Sequence, residues 1–77
     1  MSYVIATTIE GIPYAISPNV ESNCFELIRV LTDSEISKAF CSPNKTGAVN
    51  ILKWIQENDD NLADKNLSVQ PEARYFR

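Results

Sequence analysis

Histidine is missing altogether from this 77-residue chain, which removes the commonest general base and the commonest metal ligand at once. Cysteine is scarce: Cys24 and Cys41 stand 17 positions apart. Without histidine they cannot complete the four ligands of a structural zinc site, and two are too few for a disulfide scaffold. A cysteine nucleophile would also lack its usual imidazole partner. Both lie among apolar neighbours, so two buried, reduced thiols are expected. Glycine occurs only as Gly11 and Gly47, which excludes a glycine-rich phosphate cradle.

Positive charge is thin as well. Seven Lys and Arg against ten Asp and Glu give a net charge of −3. Arg29, Lys38, Lys45, Lys53, Lys65, Arg74 and Arg77 fall singly, so no basic stripe exists to neutralise a run of phosphates, and direct nucleic-acid binding is not expected. No apolar run is long enough to cross a bilayer, and Met1-Ser2 opens the sequence without a basic and apolar leader. The expectation is a cytoplasmic protein with no membrane partner. The sequons Asn44-Lys45-Thr46 and Asn66-Leu67-Ser68 should then remain unmodified.

The acids offer little chemistry. Asp59, Asn61 and Asp64 could supply oxygen ligands, but a calcium loop needs glycine at its sixth position, here Asp64, and glutamate at its twelfth, here Gln70. Glu10, Glu21, Glu26 and Glu35 are dispersed. No catalytic residue, cofactor or metal ligand is indicated, and the expectation is a protein that is not an enzyme.

What the sequence does contain is a folding pattern. Apolar residues make up 44% and charged residues 22%, as in a soluble globular domain. Residues 1–77 fit a single domain, near the size at which one core just suffices. Residues 2–9 and 12–17 are rich in β-branched and aromatic types and flank Glu10-Gly11, which predicts a tight hairpin. Tyr3, Ile5 and Ile9 share one face of its first arm, and Ile12, Tyr14 and Ile16 one face of its second. Pro13 suits the start or outer edge of a strand, and Ser17-Pro18-Asn19 should break the pattern.

Residues 24–30 read as a strand by composition, with a helix as the alternative, because Cys24, Leu27, Ile28 and Leu31 also have helical spacing. Thr32-Asp33-Ser34-Glu35 has the form of a capping box, with a short helix through Lys38 to follow. Ala39-Phe40-Cys41 then extends, with Phe40 beneath the main helix. That helix should be capped by Ser42 with Pro43 in its first position. Its stripe of Ala48, Ile51, Leu52 and Ile55 seeks a sheet.

An acidic connector follows from Asp59 to Asn66, best placed in water because acids at a helix C-terminus oppose the macrodipole. Leu67-Ser68-Val69 is a last strand, limited by Pro71. The fold class is therefore α+β: a small antiparallel sheet of three to five strands packed against one long helix in the C-terminal half.

The run Leu31-Thr32-Asp33-Ser34-Glu35-Ile36-Ser37-Lys38-Ala39-Phe40, after a hairpin and before an alanine-bearing helix that ends in Trp54-Ile55, resembles small proteins encoded by bacteriophages and prophages. The resemblance covers roughly residues 2 to 70. It implies a hairpin, a strand near Lys38-Ala39-Phe40, a helix and a closing strand. It also implies a role in binding and inhibiting a bacterial host protein, including components of antiviral defence, and it carries no catalytic residues.

The candidate partner-binding residues are Trp54, Glu57, Asp59, Asp60, Arg74, Tyr75 and Phe76. Trp54 reads either as a core-edge aromatic or as an exposed anchor. Tyr75 and Phe76 either complete the last strand or meet a partner. A protein partner is the first expectation. A self-associating structural or assembly protein, such as a homodimer joined through an uncovered strand, is the second. An acidic nucleic-acid mimic built on residues 57 to 64 is the third.

Overall fold

The computed structural model describes residues 2–19 and 21–75. β1 (Tyr3–Ile9) and β2 (Ile12–Asn19) form the expected hairpin. Its turn residues Glu10 and Gly11 have φ angles of 53° and 80°, the two positive values of a type I′ turn, whose twist matches the flanking strands. β3 (Cys24–Arg29) pairs antiparallel with β2 along its whole length. Residues 24–29 are thus strand, and the helical alternative falls.

Val30 donates its N–H to the Pro13 carbonyl at 3.0 Å. Backbone groups alternate between strand edges, so odd residues of β2 face β3 and even ones face away. Pro18, opposite Phe25, therefore turns its donorless nitrogen away from β3. This corrects the expected break at Ser17-Pro18-Asn19, since β2 runs through to Asn19 without losing a bond to β3.

β1 pairs with β2 only from Ala6 to Ile9. Over Tyr3 to Ala6 its other edge pairs with β5 (Ser68–Pro71). The short β4 (Cys41–Ser42) pairs with Tyr3 and Val4 on the edge that β2 has left. The hairpin splays there and β4 fills the gap, with the Phe40 N–H donating to the Ile16 carbonyl at 2.8 Å. All pairings are antiparallel.

On one face Ile5 and Ile16 form a core with Ala48 and Ile55 of α2 (Lys45–Asn58), with Leu62 and Leu67 alongside. Phe40 packs against this cluster, edge-on to Phe25 with centroids 5.7 Å apart. α2 lies mainly over β1, β4 and β5. Val4, Ala6 and Ala15 turn to the opposite face, with Ile28 and Val30 beside them on the sheet, and Ile36 and Ala39 pack against this group. That second cover is the segment built around α1 (Asp33–Ile36), tied down by the Ser17 hydroxyl, which donates to the Lys38 carbonyl at 2.6 Å. With both faces covered, Val4, Ile5 and Ala6 are consecutive and all fully buried.

The capping box at α1 forms as its sequence indicates. Glu35 N–H donates to Thr32 Oγ1 at 3.2 Å, and Glu35 Oε1 accepts from the N–H groups of Thr32 at 3.1 Å and Leu31 at 3.2 Å. The other carboxylate oxygen meets Arg29 Nε at 3.2 Å. Desolvation pushes this carboxyl up, but the two N–H donors and the guanidinium together hold it below its ordinary value of 4.5.

The main helix begins later than expected. Its cap is Asn44, whose Oδ1 accepts from Gly47 N–H at 2.6 Å. Ser42 instead lies buried in β4 and donates its hydroxyl to the Asn44 carbonyl at 2.7 Å. The physical reason is that Ser42 is drawn into the sheet, where it pairs opposite Tyr3 as part of β4.

The acidic connector is also more ordered than a solvated loop. Asp59 caps α3 (Asp60–Ala63), accepting from Asn61 and Leu62 N–H, and Leu62 enters the core. An acid at a helix N-terminus favours the dipole it would oppose at the end of α2. After Pro71 the backbone enters α4 (Glu72–Tyr75), with Glu72 N–H donating to the Ser2 carbonyl at 2.9 Å. The last strand therefore does not extend to Tyr75.

Two outcomes test these contacts. A Cβ on Gly47 would stand 2.8 Å from Ser42 Oγ. Gly47→Ala should therefore lose about 1 kcal/mol in urea denaturation, where an open helical site gains a similar amount. Because the folded Glu35 carboxyl titrates below its unfolded value, its contribution is complete above that value and fades as pH falls through the folded one. Between about pH 5 and pH 3, Glu35→Gln should accordingly lose less stability than the unaltered chain.

Candidate functional site

α2 turns one large aromatic outward. Its inner stripe is fixed by Ala48 and Ile55, both fully buried, and Trp54 falls outside that stripe at 48% exposure. The ring is therefore nearly half open to solvent rather than enclosed at the edge of the core. The turns above and below Trp54 place Asn50, Glu57 and Asn58 beside it, all exposed, and Asn58 Nδ2 donates to the Trp54 carbonyl at 2.9 Å. The result is a broad apolar ring with a polar rim.

Of the other predicted residues, Glu57 and Asp60 are exposed, whereas Asp59 is half-buried and engaged as the α3 cap. It holds the fold more than it offers a contact. The backbone of Arg74 and Tyr75 lies in α4, while their side chains and the whole of Phe76 fall outside the described residues. Trp54, Glu57 and Asp60 thus share the α2–α3 stretch, and nothing described brings the C-terminal residues to them.

A second apolar feature is visible only in the pairing register. Ile9 stands opposite Ile12, and the Val30–Pro13 bond continues the β2–β3 register so that Leu31 comes beside Ile12. These residues form a row across the hairpin end of the sheet. Ile9 is 38% and Leu31 55% exposed. Thr7 to Glu10 and the loop Asp64 to Asn66 border an open groove of about 430 Å³ at the same end. Periodicity could not reveal this row, because Leu31 sits beyond the strand and fits a helical spacing equally well.

Both cysteines are exposed, contrary to the expectation of buried thiols. Cys41 alternates with Ser42 in β4, and it is Ser42 that takes the buried position. Partial burial of the Cys41 thiol, followed by the Glu72 carboxylate beside it, pushes its pKa from 9.0 up to about 11. Among the described residues, no group of three or more Cys, Asp and Glu could hold a metal ion, and no helix is long and apolar enough to cross a membrane.

Comparison with known proteins found no matching family model, no matching curated protein and no matching solved structure.

The Cys41 environment makes a measurable demand. At about pH 8 its alkylation should run roughly 100-fold slower than that of a thiol with an ordinary pKa, because two units separate their thiolate populations. Glu72→Gln should speed it, and an unchanged rate in that variant would show the carboxylate to be inert.

Proposed function

We propose that this chain is a noncatalytic protein-binding module that meets its partner through Trp54 and the α2–α3 surface around it. The observation that carries the reading is an indole almost half exposed, rimmed by Asn50, Glu57 and Asn58. Tryptophan is enriched at binding hot spots, where a large ring is desolvated within a polar border. The mixed groove at the sheet end and the lack of a histidine favour surface recognition over turnover. The resemblance to phage-encoded proteins suggests the partner class: a bacterial host protein, with this chain as its inhibitor in the host cytoplasm.

The test is affinity capture from bacterial lysate with the unaltered chain and with Trp54→Ala in parallel, read by mass spectrometry. A stoichiometric partner held by the first and at least about tenfold depleted by the second is the expected result. A partner retained equally by both would remove Trp54 from the site. No stoichiometric partner across plausible hosts would overturn the module reading itself.

A further inference from the structure

The outer edge of β3 is a row of backbone hydrogen-bonding groups that no other strand covers among the described residues. Which groups face outward follows from one bond. Val30 directs its N–H to Pro13, so the even residues of β3 point toward β2, and Phe25, Leu27 and Arg29 point away. The row is bounded at both ends. Before Phe25 the chain turns at Asn23, whose φ is 55°, and after Arg29 the outward N–H of Leu31 is engaged by Glu35 Oε1 at 3.2 Å. The open stretch therefore runs from Phe25 to Arg29 and is centred on Leu27.

We propose that β3 is the interface between two copies of this chain, paired antiparallel about a two-fold axis at Leu27. Opposite residues in an antiparallel ladder share a face, which an axis through any residue satisfies. The three innermost residues of the open stretch, Glu26, Leu27 and Ile28, are the centres that pair most of it. An axis at Glu26 sets two carboxylates directly against each other. An axis at Ile28 draws Leu31 into the ladder, where Glu35 already occupies its N–H.

The axis at Leu27 avoids both problems and uses every open group. Leu27 meets Leu27 of the second copy, and Phe25 lies opposite Arg29 of the second copy, where a guanidinium can lie against an aromatic ring. On the other face Glu26 meets Ile28, so no two like charges stand directly opposite. Phe25 and Leu27 are half-buried in the monomer, and the pairing would cover what remains. Since α2 lies mainly over β1, β4 and β5, it leaves the approach to β3 open. A short edge makes a small interface, so dissociation in about the micromolar range is expected.

The inference does not depend on Trp54 or on any partner protein. Its test is sedimentation velocity of the full chain from low to high micromolar concentration, combined with amide hydrogen exchange at each end of the series. The expected result is a monomer–dimer equilibrium in which protection of the Phe25, Leu27 and Arg29 amides rises with concentration. Arg29→Pro removes an outward donor from each copy without touching a bond to β2. It should weaken dimerisation at least about tenfold, whereas Arg29→Ala keeps the donor and should retain a weaker dimer.

A monomer at every concentration, with those amides exchanging freely, would overturn the proposal. A dimer whose β3 amides stay unprotected would overturn it too, by placing the contact elsewhere. The exchange measurement on the unaltered chain decides the matter even where Arg29→Pro fails to fold.

Discussion

The first half of β1 is the constraint on which the rest of the molecule depends. Val4, Ile5 and Ala6 are fully buried, and covered on both faces they have no water to satisfy their backbone groups. Both edges of the strand must therefore be paired. β5 supplies one edge from Tyr3 to Ala6, while β4 and then β2 share the other. The splayed hairpin follows from this. β2 continues with β3 past Ala15, and a two-residue strand is enough to close the gap it leaves. The opposite face calls for small side chains, and Ala6 and Ala15, paired across the hairpin, let the α1 segment approach closely.

The covering layers are too short to stand by themselves. Helices of one turn lie below the length at which propagation repays nucleation, so α1 and α3 depend on side chains that close their first turn and on one anchored apolar residue each. Thr32 with Glu35 closes α1, and Ile36 anchors it on the sheet. Asp59 closes α3, and Leu62 anchors it in the α2-side core. Glu35 has a third task, since its carboxylate also holds Arg29 and the N–H of Leu31. One local cap thereby sets where the edge of β3 stops being open.

Local chemistry of this kind is legible in a sequence, and relations between distant segments are not. Glu10-Gly11 announces its hairpin because only certain residues accept two positive φ values in succession. Thr32 to Glu35 announces its cap because both partners lie within four positions. The stripe of Ala48, Ile51, Leu52 and Ile55 gives the helix by spacing alone. The second covered face could not be read in this way, because Val4, Ala6 and Ala15 look like the ordinary outward residues of alternating strands. The choice between Ser42 and Asn44 as cap turned on Ser42 being drawn into β4, a tertiary event. Of the candidate site, Trp54 could be named from its place beside the stripe, though its exposure could not. The Ile9–Ile12–Leu31 row exists only once three strands are in register.

A single helix on this side of the sheet has a further consequence. Because α2 lies mainly over β1, β4 and β5, its reach ends before the hairpin tip and β3. Ile9 and Leu31 sit where that reach ends, each more than a third exposed, so each contributes less to the hydrophobic term than a fully buried counterpart. Trp54, beside the stripe of α2 and 48% exposed, likewise contributes only part of what full burial would. None of the three belongs to either core cluster, and single exposed apolar side chains are ordinary on a folded surface. Two contacts are proposed on this molecule, another protein at Trp54 and a second copy along β3. These surfaces differ in kind: the first offers a side chain and is specific by shape, whereas the second offers backbone and is specific only through the register that its two bounded ends impose.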